Sequence, residues 1–129
     1  MDKKIITTGA VLACLAIIFG AFGAHALKNI LTFEALQSFE VGVRYQMYHA
    51  LAMVFIGLSH QIPKPVKNTL FGFFFCGVLL FSGSIYLLSF KELLAFPIEK
   101  IALITPLGGT LFIIGWIVFI VKIIRLKST

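Results

Sequence analysis

The chain has 129 residues, of which 60% are hydrophobic and 12% are charged, and its formal net charge is +6. Soluble domains carry about 25% charged residues, and a mean hydropathy of +1.04 leaves too few polar side chains to cover a water-soluble core. The composition therefore excludes an isolated soluble domain and predicts an all-α integral membrane protein in the lipid bilayer. No basic and aromatic pattern typical of nucleic-acid binding occurs, so no nucleic-acid partner is predicted.

The first predicted helix covers residues 5–27. This apolar run reaches ~33 Å at ~1.5 Å per residue, enough to cross a hydrocarbon core of ~30 Å. It also follows "MDKK" and ends in "AHA", which resembles a signal-peptidase site. Its apolar part is about 20 residues long, whereas that of a signal peptide has roughly 7–15. We therefore interpret it as a retained helix.

Small residues recur at helical spacing along this first helix: Gly9, Ala13, Ala16, Gly20 and Ala24. Such a stripe allows close approach of helix backbones in lipid. Packing within the chain is the favoured interpretation, and a homo-oligomer contact is the alternative.

The second predicted helix covers residues 44–62. Only Ala50–Leu58 is purely apolar, so this span must carry several polar side chains into the bilayer. The prolines of "PKP" at 63–65 end it. We also expect Glu34–Ser38 to be helical as an amphipathic lead-in, with Glu40 and Arg44 paired at i,i+4.

The third and fourth predicted helices cover residues 68–90 and 101–124, which are apolar and long enough to span. Thr105 followed by Pro106 is typical of a helix start, with Thr105 as N-cap. The prediction is a single domain, 1–129, forming a bundle of four transmembrane helices.

The distribution of basic residues predicts the orientation of this bundle. Seven basic residues fall on the side of the termini: Lys3, Lys4, Lys64, Lys67, Lys122, Arg125 and Lys127. Four fall on the other side: Lys28, Arg44, Lys91 and Lys100. Both termini are therefore expected in the cytoplasm. A three-span arrangement with the N-terminus outside gives the same count, but it leaves Ala50–Leu58 without a place in the bilayer.

Each predicted helix carries polar or small residues in its half farther from the termini. The candidate site residues are His25, Tyr45, Gln46, His49, Ser82, Tyr86, Thr105, Gly108 and Gly109. Polar groups inside a bilayer mostly face the bundle interior, where they pair or bind something. Two interpretations remain: an outer-leaflet polar pocket open to the outer surface, or a hydrogen-bond network that fixes helix packing.

Three of these candidates carry more specific expectations. His25 and His49 are expected to lie close together, and they are also candidate ligands of a metal or a non-covalent haem. No third ligand accompanies them and no CxxC or CxxCH motif occurs, so no cofactor is predicted. Gly108 shares a helix face with Thr105, Gly109, Phe112 and Trp116, and serves either close packing or anion binding at a helix start.

Four segments resemble a known family. They are "GAFGAHALK" at 20–28, "F..GVRYQMYHALA" at 39–52, "FSGSIYLL" at 81–88 and "TPLGGTLFIIGW" at 105–116. In this order they resemble the small four-helix bacterial inner-membrane family called domain of unknown function 423, whose animal relative is transmembrane protein 256. The resemblance covers essentially the whole chain. It implies a four-helix fold and a multi-pass location in the inner (plasma) membrane, and it implies no activity.

The first functional expectation is a structural or accessory membrane protein that associates with other membrane components. The alternative is binding or transport of a small ligand, lipid, metal or haem through the outer polar pocket. An enzyme is the third class, because a Ser-His-acid hydrolase needs an acid partner and a nucleophile elbow. The outer acids lie in predicted loops, and the sequence has no such elbow.

Overall fold

The regular secondary structure is helical in the computed structural model, which describes residues 1–94 and 99–127. The α-helices are α1 (Lys3–Ala24), α2 (Phe33–Leu58), α3 (Lys64–Gly77), α4 (Gly83–Ser89) and α5 (Ile104–Arg125). A π-helical segment, Val78–Ser82, joins α3 to α4, so that Lys64–Ser89 is one continuous rod. Short 3₁₀ segments, Ala26–Asn29 and Glu99–Leu103, follow α1 and precede α5. The described residues thus form four helical rods.

The helices α1 and α2 are antiparallel neighbours over the whole length of α1. At one end the Asp2 N–H donates to the Gly57 carbonyl (2.9 Å), and at the other Gly23 packs against the ring of Phe39. Between them, a Cβ on Gly9 would lie 2.7 Å from the Ala50 carbonyl oxygen, so only glycine permits this approach. Because Leu36 also contacts Gly23, the segment Phe33–Ala35 of α2 extends beyond the end of α1.

The small-residue stripe explains this close pairing. Gly9 and Ala16 are buried, and a Cβ on Gly20 would lie 3.5 Å from Val43 on α2. Ala24, the last member, is exposed. Ala13 also packs against the apolar core, so four members of the stripe pack within the chain, as predicted.

The rod Lys64–Ser89 lies between α2 and α5. The ring of Phe112 covers Gly77, and the ring of Phe74 covers Gly115, so α5 runs antiparallel to α3. Gly108 lies directly against the backbone of Leu80 and Phe81 in the π-helical segment. One apolar core cluster joins all the rods: Ile5, Leu12, Ala50, Met53, Ile56, Ile62, Leu70, Phe74, Val78 and Phe112.

The first half of α2 confirms one sequence prediction and contradicts another. The helix α2 begins at Phe33 and includes the expected lead-in, because the Thr32 side chain accepts from the Ala35 N–H (3.2 Å) and caps it. Glu40 and Arg44 do not pair, since the one ion pair in residues 1–94 and 99–127 joins Lys64 to Asp2.

Thr105 is not the N-cap of the last helix. The helix α5 continues directly from the preceding 3₁₀ segment, with Leu103 at its N-cap. The Thr105 hydroxyl is instead bonded to that of Ser84 on α4 (2.5 Å).

Three helices of the described residues are long and apolar enough to cross a membrane: Lys3–Ala24, Lys64–Ser89 and Glu99–Arg125. The remaining rod, α2, is long enough but carries Glu34, Glu40, Arg44 and several neutral polar residues. Two of its neutral polar residues, Gln46 and His49, are buried against the other helices.

Candidate functional site

The centre of the bundle contains a polar network built around Gln46. This residue is 3% exposed, and its side-chain amide reaches two other helices. Nε2 donates to the Leu12 carbonyl of α1 (2.8 Å), and Oε1 accepts from the Tyr86 hydroxyl of α4 (2.6 Å). One side chain of α2 thus joins three helices.

His49 lies one turn farther along the same face of α2. Its Nδ1 is 2.7 Å from the Tyr45 carbonyl oxygen, and its Nε2 is 3.0 Å from Nε1 of Trp116 on α5. An indole N–H only donates and a carbonyl oxygen only accepts, so these partners assign the proton to Nδ1. Both ring nitrogens of a neutral imidazole are therefore engaged.

Aromatic rings surround the His49 imidazole. The ring of Phe112 stacks on it at a centroid distance of 3.6 Å and an interplanar angle of 10°. Phe74 lies edge-on at 5.2 Å, and Tyr45 stacks at 6.4 Å. This apolar enclosure fixes the ring orientation and separates it from water.

Two serines connect the rods beside this network. Ser82, fully buried at the end of the π-helical segment, donates to the Gly42 carbonyl of α2 (2.7 Å). Ser84 donates to the Phe81 carbonyl (3.0 Å) and bonds Thr105 of α5. Every buried side-chain nitrogen and oxygen in the described residues has a hydrogen-bond partner.

The structure brings most of the predicted site residues into or beside this network. Tyr45, Gln46, His49 and Tyr86 belong to it, and Ser82 and Thr105 bond next to it. Gly108 serves close packing, whereas a Cβ on Gly109 would meet only an ordinary contact with the Phe81 ring at 3.6 Å.

His25 does not join the network. It is exposed at the C-cap of α1, and its side chain makes no hydrogen bond within the described part of the chain. Gln46 and His49 lie beside the middle of α1, whereas His25 is about 20 Å farther along α1 than Leu12, at ~1.5 Å per residue. The expected contact between His25 and His49 is therefore not found, and the network lies beside the middle of α1 rather than at the end that carries His25.

The metal hypothesis has no geometric support. Residues 1–94 and 99–127 contain no group of three or more His, Cys, Asp or Glu side chains placed to hold a metal ion. His49 would have to release a hydrogen bond before it could act as a ligand.

A cavity of about 1020 Å³ opens at the far end of the bundle, where α2 begins and α4 ends. Its lining residues are Thr32, Phe33, Glu34, Ala35, Ser38, Val41, Ile85, Leu88, Ser89, Lys91, Glu92, Ala102, Thr105 and Pro106. We call it the far-end cavity. Among the nine predicted site residues only Thr105 lines it.

The sequence carried signals for the site residues that were missed. Glu34 and Ser38 lie in the amphipathic lead-in of α2, and Lys91 and Glu92 open the charged segment "KELLAFPIEK". Trp116 shares a helix face with Thr105, Gly108 and Phe112. Its indole N–H is a donor whose hydrogen bond a buried histidine can accept, and this was the available signal for its contact with His49.

A second polar cluster lies at the end of the bundle that carries both termini. The Asp2 carboxylate caps α1 by accepting from the Ile5 N–H (3.3 Å) and pairs with the Lys64 ammonium. Lys67 is 5% exposed, and its ammonium group donates to the Gly57 carbonyl (3.2 Å). The same carbonyl accepts from the Asp2 N–H (2.9 Å). The hydrogen bond from Lys64 lowers the pKa of Asp2, with burial opposing it and the Ile5 N–H assisting.

The fold and the two polar clusters define a helical membrane protein with buried polar side chains at its centre and at the end that carries its termini. A family model described as "Protein of unknown function (DUF423)" matches residues 19–109. The chain is 40% identical over 125 residues to the UPF0382 membrane protein YwdK of Bacillus subtilis, covering 95% of this chain and 98% of the relative.

Two further relatives agree with this match. A UPF0382 membrane protein of Staphylococcus saprophyticus is 39% identical over 119 residues, covering 92% of this chain and 95% of the relative. One of Haemophilus influenzae is 38% identical over 117 residues, covering 91% and 90%. No solved structure matches the chain. The chain therefore belongs to the DUF423 family of membrane proteins of unknown function, as its four sequence segments indicated.

Proposed function

We propose that this protein is a four-span structural or accessory protein of the bacterial inner membrane, with both termini in the cytoplasm. The pairing of α1 with α2 supports four spans. Since α2 lies beside α1 from Phe39 to Gly57, α2 crosses wherever α1 crosses.

The exposed side chains of α2 support the same conclusion. Tyr48, Leu51, Phe55 and Leu58 are 49–63% exposed, while Gln46 and His49 are buried. An arrangement with polar residues inside and apolar residues outside is typical of a helix in lipid. The inward face of α2 thus contributes Gln46 and His49 to its low hydropathy.

The observation that carries the accessory role is the closed central network. Its buried polar atoms are paired with one another, including both nitrogens of His49, so none of these is free to bind or react with a substrate. Such a network fixes the relative positions of the helices. A protein built in this way acts through its outer surface, by associating with other membrane components.

Photo-crosslinking in living bacteria tests this role. A photoreactive amino acid is placed, one at a time, at the exposed positions Ile17 on α1, Leu51 on α2 and Ile113 on α5, with the buried position Leu70 as the control. An accessory protein gives a discrete adduct of defined mass from one helix face. The absence of a discrete adduct at all three exposed positions would contradict the proposal.

Binding of a small ligand or lipid is the second candidate function, and the far-end cavity favours it. The cavity is large, and it combines charged residues with an apolar wall. The metal and haem forms of this candidate are tested by metal analysis and by an optical spectrum of the purified protein. A stoichiometric metal or a Soret band would support them.

A further inference from the structure

We infer that the far-end cavity binds the headgroup of a phospholipid that carries a primary ammonium group. This inference rests on the second candidate function and names the ligand class. It is drawn from the depth of the cavity, its charges and its apolar wall.

The depth of the cavity places it at the headgroup layer. Leu36 and Phe39 of α2 pack against Gly23 at the end of α1, so Phe33–Ala35 extends about 4–5 Å beyond the membrane-crossing part of α1. Thr32 and Glu34 line the cavity at this extension, and Ser38 lines it one turn farther along α2. Val41 and Ile85 line it closer to the hydrocarbon. A lipid headgroup lies at this boundary.

The charges of the cavity fit an ammonium group and a phosphate together. Glu34, Glu92 and Lys91 line it, and none forms an ion pair in the described part of the chain. Residues 95–98 carry no charged side chain that could neutralise them. The two carboxylates can accept hydrogen bonds from an ammonium, while Lys91 and the N-terminus of α2 attract a phosphate.

The same charges discriminate between lipid classes. A phosphate without an ammonium would meet two carboxylates and one lysine, which is an unfavourable balance. A quaternary ammonium cannot donate a hydrogen bond to Glu34 or Glu92. A primary ammonium offers three donors, so it satisfies both carboxylates.

The apolar wall favours an amphiphile over a water-soluble ligand. Phe33 lines the cavity and is 75% exposed, and Leu88, Ala102 and Pro106 continue the apolar surface. The volume of about 1020 Å³ lies at the upper end of ligand pockets, which are roughly 300–1,000 Å³. A glycerol backbone and the first acyl methylenes therefore fit beside the headgroup.

Native mass spectrometry of the full-length protein in detergent tests the inference. The delipidated protein is titrated with phosphatidylethanolamine, phosphatidylcholine and phosphatidylglycerol that carry identical acyl chains. We expect phosphatidylethanolamine to bind about tenfold more tightly than the other two, because it alone satisfies both carboxylates. The double variant Glu34→Gln with Glu92→Gln should lose this preference. Glu40→Gln, an exposed carboxylate of α2 outside the cavity, is the matched control.

A cavity-filling variant separates the ligand class from the binding function. Ser38→Trp should abolish lipid binding, while Ile17→Trp on the exposed face of α1 should not. Ala102→Trp replaces Ser38→Trp if thermal unfolding shows that the latter does not fold. Equal affinity for the three lipids, or a preference that survives in the double variant, would overturn the headgroup class alone. Unchanged lipid binding in the folded cavity-filling variant would overturn ligand binding in this cavity altogether.

Discussion

The hydroxyl of Tyr86 is the only side-chain donor to Gln46 Oε1 among the described residues. Tyr86→Phe removes it and leaves a buried amide oxygen unpaired. Interhelical hydrogen bonds in membrane proteins average ~0.6 kcal/mol and reach ~1.7 kcal/mol. We expect Tyr86→Phe to lower the free energy of unfolding by about 0.5–1.5 kcal/mol, measured by unfolding in mixed micelles of rising SDS fraction.

Tyr48→Phe is the matched control for this experiment. Tyr48 is 56% exposed, and its hydroxyl makes no hydrogen bond within residues 1–94 and 99–127. We expect no measurable change in its unfolding. Equal losses in the two variants would mean that the bond to Gln46 contributes nothing.

At the residue scale, helical periodicity predicted which polar groups share a face. Gln46 and His49 point the same way, as do Ser82 and Tyr86, because their spacing is close to one helical turn. The sequence could not predict the partner of each group, since that depends on how far one helix slides along its neighbour. Close contacts such as Gly9 with Ala50 fix this register, and they place His49 far from His25.

The contact between α5 and the π-helical segment depends on Gly108. A Cβ at this position would overlap the backbone of Phe81, which cannot rotate away as a side chain would. We expect Gly108→Ala to cost about 1–3 kcal/mol, as overpacking in a tight core does. Thermal unfolding in detergent measures this loss.

Gly72 provides the matched control, because nothing lies within 4 Å of a Cβ added there. Removing a glycine from a helix interior is worth roughly 0.5–1 kcal/mol, so Gly72→Ala should be neutral or stabilising. A Gly108→Ala protein as stable as Gly72→Ala would contradict the close approach of α5 to the π-helical segment.

The start of α1 is joined to the start of α3 through Asp2 and Lys64, and this contact gives a pH dependence. The pKa of Asp2 is lowered in the folded protein, so its contribution is present above the unfolded value of about 3.9 and is lost as the pH falls through the lower folded value. We expect the stability difference between the native protein and Asp2→Asn to be constant above about pH 5 and to shrink below about pH 4.

Thermal unfolding across this pH range measures the difference. Lys64→Gln should show the same profile as Asp2→Asn, because it removes the other half of the pair. Lys3→Gln is the control at the same end of the bundle, since Lys3 is exposed and forms no ion pair in the described residues. If the stability of the native protein stays parallel to that of Asp2→Asn down to pH 2, the contact between Asp2 and Lys64 does not contribute to stability.

At the element scale, the sequence predicted that each helix exists and that Glu34–Ser38 is a helical lead-in, but not the Thr32 cap of α2 or the start of α5. Hydropathy indicates only the part of a helix that lies in lipid, whereas Thr32 starts α2 by capping it outside the apolar stretch. The π-helical segment has no sequence signal that periodicity detects. The sequence indicates Gly108 as a close-packing residue, but it does not indicate that Gly108 packs against the π-helical segment.

The whole molecule is expected to place both termini in the cytoplasm. The end of the bundle that carries the termini also carries Lys64 and Lys67, and seven of the eleven basic residues lie on that side. Fusions at either terminus to a reporter active only in the cytoplasm should be active, and fusions to a reporter active only outside should be silent. The reverse pattern at either terminus would overturn the orientation.

At the scale of the whole molecule, composition predicted an all-helical membrane protein, and the apolar runs along the sequence predicted the number of helical rods. It did so because an apolar chain can satisfy its backbone groups in lipid only within helices or closed barrels. The sequence could not predict the contact between Asp2 and Lys64, because the contact depends on how the starts of α1 and α3 approach each other in the fold.

The bond between Gln46 and the Leu12 carbonyl has a consequence for biosynthesis. Both residues precede α3, so the hairpin of α1 and α2 can close while the ribosome is still making the rest of the chain. Tyr86 is translated later, and until then the amide oxygen of Gln46 lacks the Tyr86 hydroxyl as its donor inside the nascent hairpin. Chains cut after Ser59 and arrested through a linker that fills the ribosome exit tunnel should already form a disulfide between cysteines placed at Gly20 and Val43. If only chains extended past Ser89 do so, the helices assemble after the last donor has arrived.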